Sequence, residues 1–293
     1  MSRIRSFLLA LVFASPLAGA ATTFALPPWM CGFGDTVFRS DFDADGVIPH
    51  QPSNGSGGAY PGNQTRTISV TGYGSHTFYL RLPPDYSPGR SWPLLLALHG
   101  DAGPGAAPQA AMQVRTDWSN WSDPRGFIVL APVASGSQGG WQPDVDVPVM
   151  SAALDDTMAR YNVEETRIYL WGYSAGAHLV HALGLYNTNY FAAYGVSAGS
   201  LTQYACTDSG NPPPTCSSLL AGAQPKIPVD MHLGNLDPLY TDWDAGQDPN
   251  RFANGGWVLN QDMYFTLFNG GHIYTVAQLG EIWGHICPFA LAP

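Results

Sequence analysis

The sequence is short of charge. Only 12% of its 293 residues are Asp, Glu, Lys or Arg, roughly half the usual share for a soluble domain, which excludes a highly charged disordered chain. Cations are scarcer still: 12 Lys and Arg face 22 Asp and Glu, a net charge of −10, and the basic residues are scattered. Binding a nucleic-acid backbone needs a clustered basic face, so nucleic acid is excluded as a partner. Cysteine is sparse as well, and Cys31, Cys206, Cys216 and Cys287 show no zinc-type spacing. After the first twenty residues, no run approaches the ~20 consecutive apolar residues that span a bilayer.

Those first twenty residues are different. Arg3 and Arg5, an apolar run over 7–13 and the small residues Ala18-Gly19-Ala20 read as a secretory signal peptide over 1–20, so the expected location is secreted, extracellular or periplasmic. The bulky Pro28-Trp29-Met30 before Cys31 argue against a lipid anchor, and no membrane anchor is expected. In an exported chain an even number of cysteines pairs, in one of three ways. Cys206 with Cys216 would close a short loop containing Pro212-Pro213-Pro214, leaving Cys31 to tie the N-terminal arm to Cys287.

Glycine (33), proline (25) and aromatics (9 Trp, 14 Tyr, 13 Phe) are plentiful, and 45% apolar residues can fill one sizeable core. Residues 21–66 have no apolar periodicity and read as an extended arm. Within it, Asp41-Phe42-Asp43-Ala44-Asp45-Gly46 imitates a calcium loop, but Pro52 stands at the twelfth position where a bidentate glutamate belongs. From 67 to 293 strand and helix patterns alternate: strands at 77–82, 94–98, 127–133, 167–171, 192–196, 227–233 and 264–268, with helices in 109–121, 149–161, 175–186 and 276–286. This rhythm predicts an α/β domain with a doubly wound, mostly parallel sheet and helices on both faces. Residues 200–225 break the pattern and read as a stapled loop over the sheet rim.

Gly172-Tyr173-Ser174-Ala175-Gly176 matches G-x-S-x-G, the strand-to-helix turn that exposes a serine above a sheet. A second match at Gly195-Val196-Ser197-Ala198-Gly199 is followed by no helix pattern, so Ser174 is the expected nucleophile. A serine hydroxyl needs a base and an orienting carboxylate. His272, in Asn269-Gly270-Gly271-His272 directly after a strand, is the expected base. His285 falls inside the last helix beside Cys287, where a structural histidine is the commoner outcome. His178 and His181 lie one helical turn apart without the glutamate of H-E-x-x-H and read as packing residues, so no metal is expected. Asp237, in the turn after the strand at 227–233, is the expected carboxylate, ahead of Asp230, Asp242 and Asp244. For the oxyanion the amide of Ala175 is one expected donor and that of Asp101, after His99-Gly100, the other, with Gly100 as its alternative.

With these residues in hand the chain resembles secreted α/β-hydrolases of the polyhydroxybutyrate depolymerase type, similar to feruloyl and acetylxylan esterases. The resemblance covers about 67–290 and rests on Leu98-His99-Gly100, the elbow around Ser174, the Gly234-x-x-Asp237 turn and Gly270-Gly271-His272. It implies the α/β-hydrolase fold, catalysis through an acyl-enzyme without a cofactor, and an aromatic contact to substrate from Trp141; His99 and Tyr173 are the other expected substrate neighbours. The expected protein is a monomeric serine carboxylesterase whose partner is a neutral, possibly polymeric ester. A serine peptidase of the same fold and a non-catalytic polymer-binding protein are the alternatives.

Overall fold

The computed structural model describes residues 23–25, 50–58, 61–209 and 214–291. The signal-like stretch 1–20, the calcium-like turn 41–46 and Cys31 lie outside the described residues. In chain order the strands are β1 Thr23–Ala25, β2 Gly62–Val70, β3 Gly74–Leu82, β4 Trp92–Leu98, β5 Ile128–Pro132, β6 Val163–Tyr173, β7 Ala193–Ser197, β8 Val229–Gly234, β9 Met263–Phe268 and β10 Phe289–Leu291. The helices used below are α1 Ala107–Arg125, α2 Pro143–Arg160, α3 Ala175–Tyr186, α4 Cys216–Gly222, α5 Pro238–Thr241, α6 Asp248–Asn254 and α7 Val276–Ile286.

Strand β4 shows why these elements form layers. All seven of its positions are buried, as happens when helices cover both faces of a parallel sheet. Leu94, Leu96 and Leu98 pack with Val147, Met150 and Leu154 of α2 and Leu179 and Leu183 of α3. The alternate residues Leu95 and Ala97 pack with Val114 and Trp118 of α1 and Leu279, Ile282 and Trp283 of α7. One strand thus serves two cores, because successive side chains point to opposite faces.

The main sheet has the order β2-β3-β5-β4-β6-β7-β8-β9. β2–β3 and β3–β5 are antiparallel, and every pairing from β5 through β9 is parallel. After β4 the chain returns through α1 to β5 on one side, and after β5 it crosses to β6 on the other. The two exits from β4 and β6 therefore diverge, which leaves a crevice at their carboxyl ends, the usual ligand position in open α/β sheets.

The sheet begins at Gly62, inside the stretch expected to be an extended arm to residue 66. β2 alternates half-buried and exposed positions along its whole length, and its polar residues hid that period. Residues 50–58 are also packed rather than extended away: Ser53 exchanges hydrogen bonds with Val163, N to O at 2.8 Å and Oγ from N at 2.9 Å. The 200–225 segment is stapled as expected, by a Cys206–Cys216 disulfide, and contains the short helix α4. Cys287 is buried; its expected partner Cys31 falls outside the described residues. Among the described residues, no helix is long and apolar enough to cross a membrane.

Candidate active site

Strand β6 ends at Tyr173, α3 starts at Ala175, and Ser174 between them has φ 53° and ψ −120°. A non-glycine residue in the left-handed region is strained, and the flanking glycines show what enforces the turn. A Cβ on Gly172 would stand 2.4 Å from the Gly176 carbonyl oxygen, and one on Gly176 would stand 2.5 Å from that of His99. Both positions of the G-x-S-x-G motif are therefore closed to any side chain. Ser174 N donates to Ser197 O at 3.0 Å, while the second motif's serine, Ser197, is buried and accepts from Trp171 Nε1 at 3.2 Å.

His272 reaches Ser174 across the rim: its Nε2 lies 2.7 Å from Ser174 Oγ. Its Nδ1 lies 2.8 Å from Asp237 Oδ2. Asp237 is 2% exposed, and its second oxygen accepts from Leu239 N at 2.9 Å as the cap of α5. Thus Asp237 holds a fixed orientation before it touches the imidazole. The two loops carrying Asp237 and His272 are bound directly to each other: Asn235 N donates to Phe268 O and Leu236 N to Gly270 O. Gly234 allows this approach, since its Cβ would fall 2.3 Å from Gly270 O. Tyr173 Oη donates to the His272 carbonyl at 2.7 Å, so that side chain braces the His272 loop.

The segments that carry the expected oxyanion donors adjoin Ser174. Ala175 opens α3, where the first N–H groups of a helix have no intrahelical acceptor. Across from it, a Cβ on Gly100 would lie 3.1 Å from Ser174 Cβ, so the His99-Gly100-Asp101 turn runs directly beside Ser174. Two residues expected to touch substrate turn inward here. Trp141 is 5% exposed; its Nε1 donates to His99 O at 2.8 Å and its ring packs 4.8 Å from the His99 ring. His99 is buried, with Nδ1 on Gly100 O at 2.6 Å and Nε2 accepting from Ala134 N at 3.2 Å, and burial lowers its pKa. Both therefore brace the turn. The physical reason is the 135–142 loop, which Asp146 draws down by accepting from Ser135 N and Gln142 N.

What sequence reasoning missed is the set of exposed apolar side chains on the segments that carry Asp237 and His272. Leu236 and Ile273, each adjacent in sequence to Asp237 or His272, are 71% and 50% exposed. Trp243 is exposed too, stacked on His178 with the planes 15° apart. His178 lies one turn beyond Ser174 on α3 and accepts from Ser200 N at 2.8 Å. Burial holds its pKa down to about 4. His181 instead meets the Tyr194 hydroxyl at 3.2 Å, so the two histidines have separate partners.

No family model matches the chain. It is 31% identical over 110 residues to a bifunctional acetylxylan esterase/xylanase of Neocallimastix patriciarum, covering 36% of this chain and 16% of that protein. It is 24% identical over 249 residues to a poly(3-hydroxybutyrate) depolymerase of Ralstonia pickettii, covering 79% of this chain and 46% of that one. The chain thus spans less than half the length of either curated relative. Among solved structures, a ferulic acid esterase superposes with a TM-score of 0.60 at 15% identity, over 78% of this chain and 99% of its own.

Proposed function

We propose that this protein, which has the α/β-hydrolase fold, is an exported serine carboxylesterase acting on neutral esters. The observation that carries the reading is the continuous series Ser174 Oγ, His272 Nε2, His272 Nδ1 and Asp237 Oδ2, with contacts of 2.7 and 2.8 Å. In this reading Ser174 Oγ attacks the ester carbonyl while His272 Nε2 takes its proton. Asp237 holds the Nδ1–H tautomer and stabilises the imidazolium. The amides of Ala175 and Asp101 receive the oxyanion, a contribution of about 3–4 kcal/mol per donor. His272 then passes its proton to the departing alkoxide, leaving an acyl-serine. A water loses a proton to the same nitrogen, attacks the acyl carbon, and the acid departs as the proton returns to Ser174. No cofactor enters any step.

The substrate class follows from the surroundings. An anionic chain repels anionic substrates, and exposed Leu236, Ile273 and Trp243 favour an apolar acyl or polyester segment. The names of the relatives, a polyester depolymerase and an acetylxylan esterase, fit that surface and support a polymeric ester.

The test pairs labelling with turnover. A fluorophosphonate probe followed by peptide mapping is expected to modify Ser174. Short nitrophenyl esters are expected to be cleaved far faster than aminoacyl nitroanilides, with at least a ~10⁴-fold loss in the Ser174→Ala variant. Labelling elsewhere, or undiminished hydrolysis by that variant, overturns the reading.

A further inference from the structure

Away from Ser174, three side chains converge whose chemistry the proposed reaction does not use. Asp230 and His232 stand two apart on β8, which puts both on one face of the strand. His285 comes from the last turn of α7. Asp230 is fully buried and His232 nearly so, whereas the His285 side chain is 38% exposed. Some four residues of strand, about 13 Å, separate Asp230 from Gly234, beyond which the loop to Asp237 begins.

The geometry points to a divalent-metal site, suited to zinc, formed by Asp230, His232 and His285. His285 Nδ1 lies 2.7 Å from Asp230 Oδ2, and His232 Nε2 lies 3.3 Å from the Asp230 carboxylate. All three ligand atoms fall within 4.8 Å of one another. An ion held at 2.0–2.2 Å by nitrogen and oxygen donors in tetrahedral array spaces them about 3.3 Å apart, and the observed separations bracket that value.

A second observation points the same way. Asp230 Oδ1 is buried and makes no hydrogen bond; it has an ion-pair contact with His232 Nε2 at 3.3 Å, and a buried carboxylate oxygen held so loosely is costly. A bound cation would compensate it. The Tyr264 ring stacks on His285 at 4.1 Å with the planes 3° apart, which holds the imidazole plane. His285 also sits at a helix C-terminus, where positive charge is favoured. Two imidazoles with one carboxylate is a donor set for zinc and its first-row neighbours, not for calcium or magnesium. With solvent reaching the site past His285, water would complete the coordination. Such an ion would clamp the end of α7 to β8, and its role is structural.

The test uses the full chain without a histidine tag, stripped with a chelator, loaded with Zn²⁺ and desalted. Elemental analysis is expected to find one zinc per chain, and zinc at 100-fold above its Kd to raise the melting temperature by about 5 °C. His285→Ala is expected to lose both the retained zinc and the shift while keeping metal-free ester turnover. His272→Ala is expected to keep both, which separates this cluster from the proposed active site. If His285→Ala fails to fold, His285→Gln and the visible spectrum of Co²⁺-loaded wild type take its place, with low-coordinate nitrogen–oxygen bands expected only when His285 is present. Wild type that retains no zinc, or variants at His285 that retain as much as wild type, overturn the proposal.

Discussion

The proposed chemistry hangs on how single side chains are restrained. Asp237 gives one oxygen to Leu239 N and the other to His272, so an amide in its place keeps the shape and loses the charge that stabilises imidazolium. Asp237→Asn is expected to lower kcat by about 10³–10⁴-fold with KM nearly unchanged, following the orienting-carboxylate logic of serine hydrolases, measured by steady-state hydrolysis of a nitrophenyl ester. Tyr173 donates its hydroxyl to the His272 carbonyl, and its ring lies 5.3 Å from the His272 ring. Tyr173→Phe removes one hydrogen bond to a half-exposed loop, so kcat is expected to fall less than about tenfold, while Ser174 remains labelled by a fluorophosphonate. Gly176 is stricter: a methyl 2.5 Å from the His99 carbonyl must push α3 away from the His99-Gly100-Asp101 turn. Gly176→Ala is expected to lose most activity even where circular dichroism still reports a folded chain.

At the scale of elements, the agreement between sequence and structure depends on burial. Helices α3 and α7 fall where their apolar pattern puts them, at 175–186 and 276–286, because each packs an apolar face on the sheet. β2 escaped notice because Gly62–Val70 is largely polar and half-exposed, so its two-residue period carries little apolar contrast. The short helices α5 and α6 lie between the strands expected at 227–233 and 264–268, where the sequence predicts no helix, since neither is long enough to show a helical period. The 200–225 segment carries the Cys206–Cys216 bond, ten residues apart. Replacing both cysteines by alanine is expected to cost about 2–3 kcal/mol by the loop-closure relation, read as a lower denaturant midpoint. Activity of the surviving folded fraction is expected to persist, because Ser174, Asp237 and His272 lie on other loops.

For the molecule as a whole, several histidines are buried neutral. His181, fully enclosed against Tyr194 and Phe252, is driven down to about 3 by burial and then by its neighbour His178, itself down to about 4. The unfolded chain takes up these protons near pH 6.5 and the folded chain does not. Stability contributed by the neutral rings is therefore complete above about pH 6.5 and is lost as pH falls toward 4. Two pH units below the unfolded value, each ring is expected to cost about 2–3 kcal/mol. Melting curves from pH 7 to 4.5 should show a steep loss for wild type. His181→Leu should show a shallower one, whatever its stability at neutral pH, since the ring that must stay neutral is gone.

Local pattern alone determined the alternating strands and helices and the strand ends beside which Ser174, Asp237 and His272 stand. Each is set by short-range rules of periodicity and turn chemistry, and each follows the end of a strand. Only the tertiary structure decided which side chains face solvent. It turned Trp141 and His99 inward to brace the Gly100–Asp101 turn, left Leu236, Ile273 and Trp243 outside, folded residues 50–58 against β6, and brought His285 to Asp230 across 55 positions of chain. Exposure and long-range convergence depend on which surfaces the layers bury against one another, and no window of neighbouring residues contains that information.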